Sequence, residues 1–211
     1  MSPSKFLVAS NLSSAVARED CFITVCQDPF ILDQTSLRFN LNPISMVGWR
    51  GLADVLIIDV LQRTGLWSHF KSGKSEISPS EAKDILDTSM SSLPQMSTGQ
   101  TKLFSLSRAI LQKSIDAAEA SVLSGQLLGK KILLLDEATA SLDPDTETAM
   151  SRIIHEEFTA KGHTVIAISH RLGGLAENMR EGQDAVALLS NGRIDKIGSV
   201  HEVLGTTALD S

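Results

Sequence analysis

Apolar residues along this chain fall into strand-like and helix-like runs. Lys131 is followed by Ile132-Leu133-Leu134-Leu135, four aliphatics without a polar break, and then by Asp136 and Glu137. Such a run reads as a strand buried on both faces, as in a parallel sheet covered by helices. Thr164–Ser169 reads as a second buried strand, and residues 5–9 and 22–26 as two more. Residues 185–189 and 193–197 form a hairpin around Asn191-Gly192, a strong turn signal. Helical periodicity marks residues 49–62, with Leu52, Val55, Leu56 and Ile58 grouped toward one side and a stop at Thr64-Gly65. It also marks residues 101–113, with Leu103, Leu106 and Ile110 on one face, and residues 145–161, closed by Gly162. Residues 114–130 are Ala- and Ser-rich and extend the preceding helix to near Gly129, with no chemistry of their own. Residues 27–43 read as a connector, and residues 71–92 as a loop with a short helix at 79–86.

In an open α/β sheet, ligands bind at the carboxyl ends of the strands. Apolar burial behind Asp136 and Glu137 holds both acids at such an edge. That suits a Mg²⁺ contact beside a group that orients water on a nucleotide phosphate. A strand followed by a polar turn is the plain alternative. The 211 residues make one domain of ordinary size, and 42% apolar content is enough for a core. A net charge of −6 argues against nucleic acid as a partner, because phosphate contact needs a basic face. Cys21 and Cys26 give no disulfide framework and read as reduced thiols, on opposite faces if both lie on a strand. No signal peptide is expected, and no direct membrane insertion. A span needs ~20 apolar residues, and the best stretch, residues 52–61, carries Asp54 and Asp59.

Three more segments change the picture: Val25-Cys26-Gln27-Asp28-Pro29-Phe30, Ser97-Thr98-Gly99-Gln100 and Ile166-Ala167-Ile168-Ser169-His170-Arg171. With the strand at 133–137 between the last two, their order resembles the ATP-binding cassette of ABC transporters. The resemblance covers nearly the whole chain. Gln27 matches the Q-loop, residues 97–100 the signature, and Leu133 to Glu137 the Walker B strand with its catalytic glutamate. Ser141-Leu142-Asp143 matches the D-loop and His170 the switch histidine. Gln27-Asp28-Pro29-Phe30 followed by Leu37-Arg38-Phe39-Asn40-Leu41-Asn42-Pro43 looks like the second nucleotide-binding domain of the C subfamily, the multidrug-resistance-associated type. Asn42 stands where that pattern has Asp, and Met96 where the signature has Leu, a volume-conserving change.

The phosphate-loop pattern G-x-x-x-x-G-K-[ST] occurs nowhere in these residues. Gly73-Lys74-Ser75 is a decoy, since Ser68 stands where the first glycine is needed and no apolar strand leads in. The family places this loop ahead of the Q-loop. Residues 2–19 resemble the strand-and-turn piece that follows the phosphate-loop helix, so the chain is expected to begin just after that helix. The adenine-stacking aromatic would also lie upstream, and the chain has no Tyr.

The resemblance implies an α/β fold: a P-loop NTPase-like ABC ATPase with a helical subdomain, lacking the Walker A strand, loop and helix. Residues 1–27 and 131–211 would form the core α/β subdomain, and residues 28–130 the Q-loop connector, helical subdomain and signature helix. It implies ATP and Mg²⁺ as cofactors. Glu137 would polarise the attacking water, Asp136 and Gln27 would contact Mg²⁺, and His170 the γ-phosphate. Ser97, Thr98, Gly99 and Gln100 would receive the nucleotide of a second, head-to-tail domain at a helix N-terminus, with Ser141 and Asp143 beside it. N-capping is the ordinary reading of Ser97, Thr98 and the acids at 136–137, and it is compatible with these roles. The Asp- and Glu-rich turn at 143–147 lacks the glycine and later glutamate of a Ca²⁺ loop. Phe30, Phe39 and Leu41 either line a groove for a transmembrane-domain helix or pack in the core. His69, His155, His163 and His201 show no metal-ligand spacing and read as solvated or packed. The implied setting is the cytoplasmic face of a membrane, with an exporter's transmembrane domains as partners; alone, the chain reads as soluble and cytoplasmic. A chromosome-maintenance or DNA-repair ATPase is disfavoured, since no heptad coiled coil separates Gln27 from Ser97. A non-catalytic fragment lending its signature to a partner is the second reading.

Overall fold

The computed structural model describes residues 5–10, 21–43, 50–123, 129–170 and 178–204. The chain divides into two compact units, residues 28–128, and residues 1–27 with 129–211.

The second of these is a sheet flanked by helices. Its strands are β1 (Lys5–Ser10), β2 (Phe22–Val25), β3 (Ile132–Asp136), β4 (Thr164–Ser169), β5 (Asp184–Ser190) and β6 (Arg193–Gly198), in the order β2-β3-β4-β1-β5-β6. β2, β3 and β4 run parallel, with Val25 opposite Leu135 and Leu135 opposite Ala167. Leu133 and Leu135 are buried and Ile132 and Leu134 half-buried, so both faces of β3 are covered, as its unbroken aliphatic run requires. β1 is antiparallel to both neighbours, with Phe6 opposite Ser169 and Leu188. β1 thus lies inside the sheet, between β4 and β5. Asn191 (φ 49°) and Gly192 (φ 75°) make the two-residue turn between β5 and β6; two left-handed residues in succession are what a type I′ hairpin needs. Cys21 and Cys26 flank β2 rather than lying on it, and both are free thiols.

Helix α6 (Pro144–Ile154) buries Met150, Ile153 and Ile154. The helix expected over 145–161 does not continue as one. Residues His155–Thr159 widen into a π turn, with Ala160 N–H donating to the His155 carbonyl at 2.9 Å. The Thr159 hydroxyl lies 3.2 Å from that same carbonyl, the kind of side-chain competition that disturbs a helical ladder. Gly162 (φ 77°) then ends the run. The short helix Val200–Leu204 follows β6.

The other unit is helical. Its elements are α1 (Leu37–Leu41), α2 (Arg50–Arg63), α3 (Leu66–Phe70), α4 (Pro79–Asp87) and α5 (Thr98–Leu123), and the helix after α6 is α7. The segment read as a plain connector contains α1, capped by Ser36, whose Oγ accepts the Phe39 N–H at 3.2 Å. Arg38 ties α1 to Asp87 of α4 at 2.9 Å and to Asp54 of α2. The buried side of α2 is Ile57, Val60 and Leu61; Val55, expected to face inward, is 64% exposed. α4 starts with a capping box between Ser78 and Glu81. α5 runs unbroken for 26 residues and buries Leu103, Phe104, Leu106, Ile110 and Leu111. Burial of Leu103, Leu106 and Ile110 follows the expected face, and the helix is joined to Thr64, the residue after α2, by a hydroxyl bond of 3.0 Å from Ser107. No helix among the described residues is long and apolar enough to cross a membrane.

Candidate nucleotide site

Parallel pairing brings the ends of three strands to one edge. Asp136 stands opposite Ile168, so the residues following β3 and β4 emerge side by side. Glu137 follows β3 with φ 49°, a left-handed conformation that costs a non-glycine residue ~1–2 kcal/mol. Two backbone bonds hold it there: its N–H donates to the Ile168 carbonyl at 2.9 Å, and its carbonyl accepts the Ala140 N–H at 3.0 Å. The outcome is a side chain directed at the residue after β4. His170 Nε2–H donates to Glu137 Oε1 at 2.7 Å, with Glu137 14% exposed and His170 33% exposed. Strained backbone held by its surroundings is a mark of positions where geometry is functional.

Gln27 lies two residues beyond Val25, the last residue of the strand paired with β3, and it is exposed, as is Asp136. Among the described residues no three His, Cys, Asp or Glu side chains group as a metal cage. An Asp and a Gln oxygen at one edge fit Mg²⁺, which takes one or two protein ligands and keeps water and phosphate oxygens.

Ser141 is exposed and left-handed (φ 61°) in the turn after Glu137. Asp143 caps α6: its Oδ2 accepts the Thr146 hydroxyl at 2.7 Å and its Oδ1 the Thr146 N–H at 3.0 Å. These bonds, the hydroxyl's first, hold the Asp143 carboxyl below its usual range.

Residues 97–100 belong to the helical unit. Ser97 Oγ accepts the Gln100 N–H at 3.2 Å, and Gln100 Oε1 accepts the Ser97 N–H at 2.9 Å. This reciprocal capping box fixes the start of α5. Thr98 is exposed and Gly99 half-buried, and their N–H groups fall in the first turn, where a helix supplies no carbonyl partners. Gln27, Asp136, Glu137, Ser141, Asp143 and His170 thus share one unit, with Glu137 and His170 in direct contact, and residues 97–100 belong to the other.

Sequence reading passed over Arg108. Half-buried on α5, its guanidinium donates to the Asn40 carbonyl at 2.6 Å and the Phe30 carbonyl at 2.7 Å, and lies 5.0 Å over the Phe104 ring. Burial lowers its pKa. Asn40 is buried beside it, and its Nδ2 donates to the Leu32 carbonyl at 3.0 Å and the Thr35 hydroxyl at 2.8 Å. An Arg one helix turn beyond Phe104 carries no sequence signal of that reach. Of the three residues offered for a partner groove or the core, Leu41 is core, while Phe30 is 73% and Phe39 43% exposed.

The described features are a carboxylate–imidazole pair at parallel strand ends in one unit and a capped helix start in the other. No family model matches the chain. Curated relatives do match it, and they are ABC transporters. An ABC-type transporter of Gibberella zeae is 31% identical over 194 residues, 90% of this chain and 11% of the relative. ABC multidrug transporter B of Aspergillus fumigatus is 30% identical over 182 residues, 86% of this chain and 10% of the relative. The human ATP-binding cassette sub-family C member 2 is 33% identical over 178 residues, 84% of this chain and 9% of the relative. The chain therefore spans about a tenth of the length of the curated relatives it matches, and its likeness to them supports an ABC domain.

Proposed function

We propose that the chain is part of the ATP-binding and hydrolysing domain of an ABC exporter, of the kind found second in C-subfamily transporters. The observation that carries this reading is the 2.7 Å bond from His170 to Glu137 at the edge where β3 and β4 end. A carboxylate whose rotamer is fixed by an imidazole is oriented to accept a proton from water. His170 holds that orientation by donating its Nε2–H to Oε1. Asp136 and Gln27 would hold Mg²⁺, which, when bound, neutralises phosphate charge. Residues 97–100 serve a nucleotide held by a second domain, and the transmembrane partner docks on a cytoplasmic surface that includes Phe30 and Phe39.

The test is Glu137→Gln in an assembled domain that also carries a phosphate loop. The expected result is hydrolysis slowed ~10²–10⁴-fold, the range for removal of a general base, with nucleotide affinity nearly unchanged. Equal losses in affinity and rate would remove Glu137 from the catalytic role.

A second reading has one observation in its favour, the absence of G-x-x-x-x-G-K-[ST] from these residues. On that reading the chain does not turn over ATP alone and lends its signature to a partner domain. Mixed with a domain that has a phosphate loop, it should associate when ATP·Mg²⁺ is added. Ser97→Arg should abolish that association, since it puts bulk and charge where phosphate must sit. Sedimentation with and without nucleotide measures this. Steady turnover by the pure chain, lost in Glu137→Gln, would rule the second reading out.

A further inference from the structure

The capping box at Ser97 has a third member outside its helix. His69 lies in α3, half-buried, with its ring edge-on to Phe70 at 5.4 Å between centroids. Its Nε2 lies 3.1 Å from the Pro94 carbonyl oxygen and its Nδ1 3.4 Å from Gln100 Nε2. A carbonyl only accepts, so Nε2 carries the proton and Nδ1 of the neutral ring is an acceptor. Gln100 is oriented independently. The Ser97 N–H only donates, so Gln100 turns its Oε1 to Ser97 at 2.9 Å and its amide N–H to His69. The two assignments agree. A proton on Nδ1 would set two donors face to face. Gln100 would then have to flip, and the bond to Ser97 would be lost.

His69 therefore holds both flanks of the turn, Pro94 before Ser97 and Gln100 after it. Resting on the reading of residues 97–100 as a phosphate-receiving turn, we propose that His69 is a positioning residue for that turn. It acts through the Gln100 amide and the Pro94 carbonyl, and it requires the Nε2–H tautomer. From sequence alone, His69 reads as a solvated or packed histidine without metal-ligand spacing.

The experiment uses the whole chain. Imidazole ¹⁵N spectra should show His69 protonated at Nε2 with Nδ1 as acceptor, and Gln100→Ala should move the Nδ1 signal. His69→Phe keeps the ring packing and removes both nitrogens. It should leave helix content unchanged, raise exchange at the Ser97 and Gln100 amides about five- to tenfold, the scale of a lost helix cap, and weaken ATP-dependent association with a phosphate-loop domain about as much. The His69→Phe/Gln100→Ala double variant should lose less than the sum of the two single losses, because both single variants break the same His69–Gln100 bond. An Nδ1–H tautomer, unchanged exchange in His69→Phe, or additive losses would each overturn the proposal. If His69→Phe does not fold, Gln100→Glu decides: it keeps an oxygen for the Ser97 N–H and removes the donor to Nδ1, so an unchanged imidazole spectrum refutes the coupling. If the wild-type chain shows no ATP-dependent association, the phosphate-receiving reading fails, while the spectrum and exchange still decide whether His69 positions the turn.

Discussion

Asp143 shows how one side chain serves a helix and a turn together. Both its oxygens are taken by Thr146, and those bonds favour the ionised carboxylate. Its folded pKa is depressed, so the cap is fully formed above the ordinary carboxylate value of 3.8 and is lost as pH falls through the lower folded value. Amide exchange at Thr146 should stay slow through pH 3.8 and quicken only below it. In Thr146→Val, which removes the hydroxyl, the quickening should move to higher pH. An exchange profile that does not shift in the variant would disconnect the hydroxyl from the cap. Glu137 differs in kind: its side chain is aimed by a left-handed backbone rather than by a cap. The acids at the end of the aliphatic run were legible in sequence, whereas the 2.7 Å approach of His170 was not, because nothing local records which strand lies beside which.

At the scale of elements, the sequence speaks clearly where local chemistry decides. Asn191-Gly192 dictates its hairpin, and the cap residues Ser97 and Thr98 mark the start of α5. It misleads where several faces are equally apolar. Nearly every position from 52 to 61 in α2 is apolar except Asp54 and Asp59, so periodicity does not select a face. Packing against α3 and α5 selects Ile57, Val60 and Leu61 and leaves Val55 outside. α1, at five residues, is too short for any periodic signal, and its place comes from Asn40 and Arg108. Arg108→Leu should accordingly loosen the segment from Phe30 to Asn40 and cost about 1–3 kcal/mol, since the part-buried Asn40 carbonyl and the Phe30 carbonyl both lose a charged donor. Denaturant unfolding gives the magnitude. Arg108→Lys should recover only part of it, because an ammonium has no fork to span both carbonyls. A variant as stable as wild type would show that water replaces the clasp without loss.

For the molecule as a whole, the two units make different demands on the chain. Residues 28–128 are continuous, and their helices pack on one another: α2 on α3 and α5, and α1 on α2, α4 and α5. Expressed alone, residues 28–128 should fold cooperatively with a helical circular dichroism spectrum, and Leu106→Ala should destabilise them by ~2–5 kcal/mol, the range for emptying a buried leucine site. A non-cooperative melt would mean that this core depends on the rest of the chain.

The sheet unit behaves otherwise in time. β1 precedes the other described strands of its sheet in sequence, and its partners come late: Lys5 pairs with Leu189 and Phe6 with Ser169. All the chain between β1 and β4 must be closed into a loop before β1 gains its first ladder bond, and such long-range closure slows folding. While the chain is still on the ribosome, the helical unit has all its residues available and β1 has none of its neighbours. Assembly of the sheet is therefore expected to leave β1, made before both of its partners, locking in last. Until it does, β4 and β5 each present an open edge, and that interval is when the nascent chain is most exposed to pairing with another copy of itself.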